Sequence, residues 1–168
     1  MKTIKGFIAI LSITLVAAFV ASAQVNLTSL DGTRVNIEGQ NGKVVVLAIG
    51  ASWLPLSDKQ AEFTNALAKK YAGKNVVFYF VATDSANPKS KNFATNDAIK
   101  KFAFENKLTA AVLRDSDGAA TLKKFNVEQV PSFVILDKNG KQVGEPFGGI
   151  DPKYDVTIPI SKAIDKLL

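Results

Sequence analysis

The chain has 168 residues, 47% of them apolar and 21% charged, with a net charge of +6. Those proportions suit one folded α/β domain with a sizeable core. It contains no cysteine and no histidine, which excludes a disulfide, a thiolate nucleophile, a Cys/His zinc site or a Ser-His-Asp triad made from its own side chains.

Met1 to Ala23 reads as a secretory signal. Lys2 and Lys5 form a basic start, Phe7 to Val20 an apolar core and Ala21-Ser22-Ala23 a small-residue cleavage site. The apolar run is shorter than the roughly 20 residues a spanning helix needs, so no membrane anchor is expected after cleavage. No cysteine follows the run, so a thioether-linked lipid at this junction is not expected either. The expectation is a signal over 1–23 and a periplasmic or secreted domain over 24–168. Cleavage would remove two lysines and no acid, lowering the net charge from +6 to +4. The remaining lysines fall in scattered pairs (Lys69-Lys70, Lys100-Lys101, Lys123-Lys124), and arginine occurs only at Arg34 and Arg114. That pattern describes solvated helix faces, and no nucleic-acid partner is expected.

In chain order, Val25 to Ile37 alternates around the Asp31-Gly32 turn and predicts an N-terminal hairpin. Val44 to Ile49 is a continuous apolar run, suited to a central strand covered on both faces. A helical stripe follows through Ala61, Phe63, Leu67 and Tyr71, closed near Gly73, and Asn75 to Thr83 returns as a second buried strand. Asp84 to Asn92 is a polar loop. Thr95 or Asn96 caps a helix to about Asn106, and Ala110 to Leu113 forms a short strand. Asp115-Ser116-Asp117-Gly118 lacks the spacing of a calcium loop and reads as a turn and cap before a short helix bearing Leu122 and Phe125. Ser132 to Leu136 is a strand, Asp137 to Gly140 its turn and Lys141 to Glu145 its expected return. A final amphipathic helix carries Ile160, Ala163, Ile164 and Leu167.

Two segments carry a resemblance: Gly42 to Trp53, "GKVVVLAIGASW", and Val130 to Lys141, "VPSFVILDKNGK". Both are similar to signature segments of the extracytoplasmic TlpA-like disulfide reductases of the thioredoxin superfamily. The resemblance implies a thioredoxin-like three-layer α/β/α sandwich with a central mixed sheet and an N-terminal β-hairpin. It also implies thiol-disulfide oxidoreductase activity, carried by a Cys-x-x-Cys dithiol after the tryptophan. Here Leu54 and Ser57 occupy both cysteine positions, and the family's glutamate three residues further on is Gln60.

The residues left at that place suggest binding. Trp53, Leu54, Pro55, Leu56 and Ser57 form the turn, and Val130-Pro131 resembles the family's cis-proline facing it across a substrate groove. An extended polypeptide could pair with the backbone there. Ser57 is expected to cap the helix. Asp58, Lys59 and Glu62 could act as acid or base, but no nucleophile or metal ligand accompanies them. The reading is a non-catalytic polypeptide-binding or assembly module without cofactor or metal. The alternative is an accessory in thiol-disulfide exchange or peroxide defence that uses a partner's cysteines.

Overall fold

The computed structural model describes residues 25–168; the signal expected over 1–23 lies outside the described residues. The elements follow in the order β1 (Asn26–Ser29), β2 (Arg34–Asn36), β3 (Val44–Gly50), α1 (Ser57–Lys70), β4 (Val76–Ala82) and α2 (Asn96–Glu105). Then come β5 (Ala111–Arg114), α3 (Thr121–Lys124), β6 (Ser132–Leu136), β7 (Phe147–Gly148) and α4 (Thr157–Asp165).

The strands form one mixed sheet in the order β2-β1-β5-β4-β3-β6-β7. Strands β3, β4 and β5 are parallel neighbours, and β6 joins β3 antiparallel. Every residue of β3 is buried, which explains why its sequence is an unbroken apolar run. Alternate side chains serve opposite faces. Val44, Val46 and Ala48 pack with Phe63 and Leu67 of α1 and Tyr71 just after it, Ile99 and Phe102 of α2, and Ile160 and Ile164 of α4. Val45, Leu47 and Ile49 pack with Leu27 and Ile37 of the hairpin segment and with Phe125 and Val127 beside α3. The sandwich is therefore uneven: three helices cover one face, while the four-residue α3 covers the other, joined there by side chains of the N-terminal hairpin segment. Burial of each large apolar side chain contributes roughly 1.5–3 kcal/mol, so both faces fix the strand register.

The hairpin forms as expected, with Leu27 opposite Val35. Thr95 caps α2 through a hydrogen bond accepted from the Ala98 N–H at 3.1 Å. The Asp115 carboxylate accepts from the Thr121 N–H and hydroxyl, each at 2.7 Å, so that acidic segment organises the start of α3. The first helix ends at Lys70, with Tyr71 as its C-cap; Gly73, at φ +77, lies in the turn beyond.

The return after β6 differs from expectation. Gln142 makes a single bridge to Leu136, and the Val143 N–H donates to the Ile135 carbonyl at 2.9 Å. Gly144 then takes a left-handed φ of 69, and Pro146 has no N–H to give a ladder. Pairing resumes at Phe147–Gly148, opposite Phe133 and Ser132. The expected return over Lys141 to Glu145 is thus replaced by an interrupted one whose strand lies further along.

Candidate functional site: the end of three strands

Three strands bring the candidate site together. The parallel pair β3 and β4 ends at Gly50 opposite Ala82, and the antiparallel pair β3 and β6 ends at Ile49 opposite Ser132. Residues just beyond those pairs therefore share one sheet edge: Ala51 to Ser57 after β3, Thr83-Asp84 after β4 and Val130-Pro131 before β6.

Beneath the turn, polar groups are buried and matched. Continuing the Gly50–Ala82 register by two residues sets Ser52 against Asp84. The Asp84 carboxylate is fully buried and accepts from the Ser52 N–H at 3.0 and 3.2 Å and from its hydroxyl at 2.6 Å. Hydrogen bonds to a charged acceptor are the stronger kind, so Asp84 anchors the turn. Arg114 of β5 donates through Nη2 to the carbonyls of Asp84 at 3.3 Å, Ser85 at 2.8 Å and Ala94 at 2.6 Å. Its Nη1 donates to Asn96 Oδ1. Those bonds tie the loop after Asp84 back to the sheet.

Gln60, also fully buried, joins β3 to β6. Its Nε2 donates to the Ile49 carbonyl at 3.1 Å and the Ser132 carbonyl at 2.9 Å. Two carbonyl acceptors demand N–H donors, which fixes the amide orientation; an ionised carboxylate could make neither bond. The Gln60 Oε1 has no partner among the described residues and lies against Gly50, where a Cβ would collide with it. Glycine at position 50 follows from that close approach.

Ser57 corrects the expectation of a helix cap. It is 1% exposed, and its hydroxyl donates to the Ala51 carbonyl at 2.6 Å. The N-cap is Leu56, at φ 72, with no side-chain cap bond. The left-handed Leu56 makes Ser57 the first helical residue and leaves its hydroxyl to close the turn from within.

The outer surface is different in kind. Trp53 is 50% exposed and Leu56 38%; Pro55 is exposed and Leu54 half-buried. Across the end of β3 and β6, Val130 is half-buried and Pro131 buried, and the Val130-Pro131 bond is cis. The Val130 N–H and C=O make no hydrogen bond among the described residues. Two cavities flank this surface. One is lined by Ser52, Asp58 and Phe102 among others, the other by Glu128, Gln129, Ser132 and Gly148 among others. Neither is lined by Trp53, Leu54 or Pro131.

The ionisable residues at the start of α1 are engaged locally. Lys59 Nζ lies 2.8 Å from Glu62 and 4.8 Å from the centre of the Phe63 ring. Asp58 accepts from Asn106 Nδ2 at 2.9 Å. Among the described residues, no group of three or more acidic residues is placed to hold a metal ion. The residues that sequence reasoning passed over are Ser52 and Asp84. The signal was available as a lone aspartate at the end of a buried parallel strand, in register with the turn it anchors.

Comparison with known proteins now decides the family. The Redoxin family model matches residues 15–154. The chain belongs to the Redoxin family. A curated relative, the thiol-disulfide oxidoreductase ResA of Bacillus thuringiensis subsp. konkukian, is 27% identical over 119 residues, covering 71% of this chain and 63% of ResA. The redoxin chain thus spans less than two thirds of that relative's length. A thioredoxin-like protein from Aeropyrum pernix superposes with a TM-score of 0.68 at 20% identity, over 85% of this chain and 89% of its own. The pneumococcal exposed lipoprotein thioredoxin Etrx1 of Streptococcus pneumoniae superposes with a TM-score of 0.64 at 22% identity, over 86% of this chain and all of its own, 100%. The redoxin has the thioredoxin-like fold and no cysteine anywhere in the chain.

Proposed function

We propose that this redoxin is an exported, non-catalytic polypeptide-binding module that uses the outer face of the β3–α1 turn and the backbone before Pro131. The observation that carries the reading is the state of the two dithiol positions. Leu54 has no nucleophilic atom, and the Ser57 hydroxyl is buried and donated to the Ala51 carbonyl. A mixed disulfide needs a thiol on each side, so this chain cannot capture a substrate through a disulfide.

Non-covalent capture is supported by what remains exposed. Trp53 and Leu56 present apolar area beside a Val130 backbone whose N–H and C=O are unpaired among the described residues. Main-chain bonds of that kind hold an added strand, with apolar neighbours supplying contact area. Leu56 adds a further argument. A non-glycine residue in left-handed geometry costs on the order of 1 kcal/mol, and strain of this kind collects at working surfaces. Retaining Leu there, where Gly would relax, suits a residue kept for its side chain. Export is supported by the apolar start of the sequence and by likeness to an exposed lipoprotein thioredoxin.

A second reading is favoured by the likeness to ResA: an accessory in thiol-disulfide exchange or peroxide defence, acting on a partner that brings its own cysteines. Capture from an extracytoplasmic extract separates the two. The wild type should retain unfolded polypeptides whose cysteines have been alkylated, and Trp53→Ala with Val130→Asp, shown folded by circular dichroism, should lose them. Retention only of proteins with free cysteines favours the accessory role. Insulin reduction or peroxide turnover by the purified protein alone would refute both readings.

A further inference from the structure

The described residues open on a buried side chain. Val25 is 4% exposed and packs with Leu27 and Ile37 on the face that α3 covers. Its N–H donates to Glu38 Oε2 at 3.3 Å, and Glu38 Oε1 lies 3.0 Å from Lys124 Nζ. The Glu38 carboxylate therefore already serves a backbone donor and a cation. In the sequence, Gln24 alone separates Val25 from the small-residue junction Ala21-Ser22-Ala23. Removal of the signal at that junction makes Gln24 the first residue, with its new α-amine a single residue ahead of the buried valine.

An amino-terminal glutamine carries a nucleophile and an electrophile in the same residue. A free α-amine has a pKa of roughly 7.7–8.0, so the reactive neutral form is present at neutral pH. Its nitrogen attacks the side-chain carbonyl carbon Cδ: a C–N bond forms, the Cδ–Nε2 bond breaks, and Nε2 leaves as ammonia with a proton given up by the amine. The product is the five-membered lactam pyroglutamate. No electron changes hands and no co-reactant is consumed. Closure within one residue has the high effective concentration of an intramolecular reaction, and the departure of ammonia makes it one-way.

Resting on the export proposed above, we infer that Gln24 is a modification site: once the signal is cut after Ala23, it closes to pyroglutamate and gives the domain an uncharged, blocked amino terminus. The start of β1 suits the closed form. The ring consumes the amine and the side-chain amide of Gln24 but leaves its carbonyl, so the Val25 N–H and its bond to Glu38 are kept. Closure also protects Val25. An aminopeptidase that removed an open Gln24 would turn the Val25 N–H into an ammonium, at a position where burial disfavours charge and in competition with Lys124 for Glu38.

The test compares protein recovered from the extracytoplasmic fraction of cells expressing the full chain with a Gln24→Asn variant prepared in the same way. Asparagine keeps the amide but is one carbon too short to form the five-membered ring. Amines are labelled by reductive methylation before digestion, which separates closure in the cell from closure during work-up, and the first peptide is read by mass spectrometry. The wild type should begin at residue 24, unlabelled at its terminus and lighter by one ammonia, with the closed form exceeding the open form by about tenfold. Gln24→Asn should begin at the same residue and take the label. A wild type that begins at Gln24 with a labelled terminal amine would overturn the closure and leave export standing. Persistence of residues 1–23, or a first residue other than Gln24, would overturn the cleavage on which the inference rests. A Gln24→Asn protein that also resists the label would reveal a block of another kind and overturn the lactam.

Discussion

The two sides of the β3–α1 turn follow opposite rules. On the inner side polar groups are buried and partnered: Ser57 on Ala51, Ser52 on Asp84, Gln60 across Ile49 and Ser132. On the outer side the groups are apolar and uncommitted, with Trp53 and Leu56 exposed and the Val130 backbone unpaired among the described residues. In a thioredoxin-like fold the same short turn is both a structural joint and a site for chemistry. Here the joint is intact while no cysteine stands at it. The geometry of such a site can therefore be held by its supporting polar network, independent of any reacting atom.

The sharpest way to break the inner network is Gln60→Glu. The carboxylate would meet two carbonyl oxygens without a proton to offer, in a fully buried position. Its pKa should rise above the usual glutamate value through burial. The destabilisation should be on the order of 3 kcal/mol at pH 7, and urea midpoints should recover partly as pH falls toward 4, where the protonated acid can donate once. A variant as stable as wild type at pH 7 would mean the amide cross-link carries little. Asp84→Ala comes next. It leaves the Ser52 N–H and hydroxyl without their acceptor and should cost about 2 kcal/mol, read as a lowered melting temperature.

Leu56→Gly probes the outer side and should move in the opposite direction. Relief of the left-handed strain, offset by the greater freedom of glycine when unfolded, should leave stability unchanged or raised by about 0.5 kcal/mol. Polypeptide capture should nevertheless weaken. Loss of stability with full capture would reverse the roles given to the two sides. The smallest effect is expected at the distant hairpin. The Ser29 hydroxyl and the Thr33 N–H hold the Asp31 carboxyl down at about 2. A depressed carboxyl contributes its stabilisation above the unfolded value of roughly 3.9, and that contribution fades as pH falls toward 2. Amide exchange in the Ser29–Thr33 turn should rise in that window while exchange at the strand ends stays unchanged. Equal loosening of both would join regions that the fold keeps apart.

How much of this could be read from the sequence depends on what fixed each feature. The buried strand β3, the turn after it and Val130-Pro131 were legible because long apolar runs and their flanking segments specify them locally. The hairpin was legible from Asp31-Gly32 and the alternation around it. Ser57 was misread because its partner depends on where α1 begins, and Leu56 sets that start through a backbone conformation that leucine seldom adopts. The contact between Ser52 and Asp84 spans 32 positions and follows only from the β3–β4 register. Strand β7 was displaced because Gly144 and Pro146 interrupt the return, whereas sequence reasoning joined it directly to its turn.

Trp53 is the chain's one tryptophan, so its emission reports the proposed surface alone. The most direct measurement is a titration of the redoxin with a tryptophan-free, cysteine-alkylated unfolded polypeptide carrying a fluorescein label. Trp53 emission and label anisotropy are followed together. The account predicts a saturable blue shift that tracks the anisotropy, with both signals lost in a folded Val130→Asp variant. Binding seen by anisotropy with Trp53 emission unchanged, or binding unaffected by that variant, would contradict it.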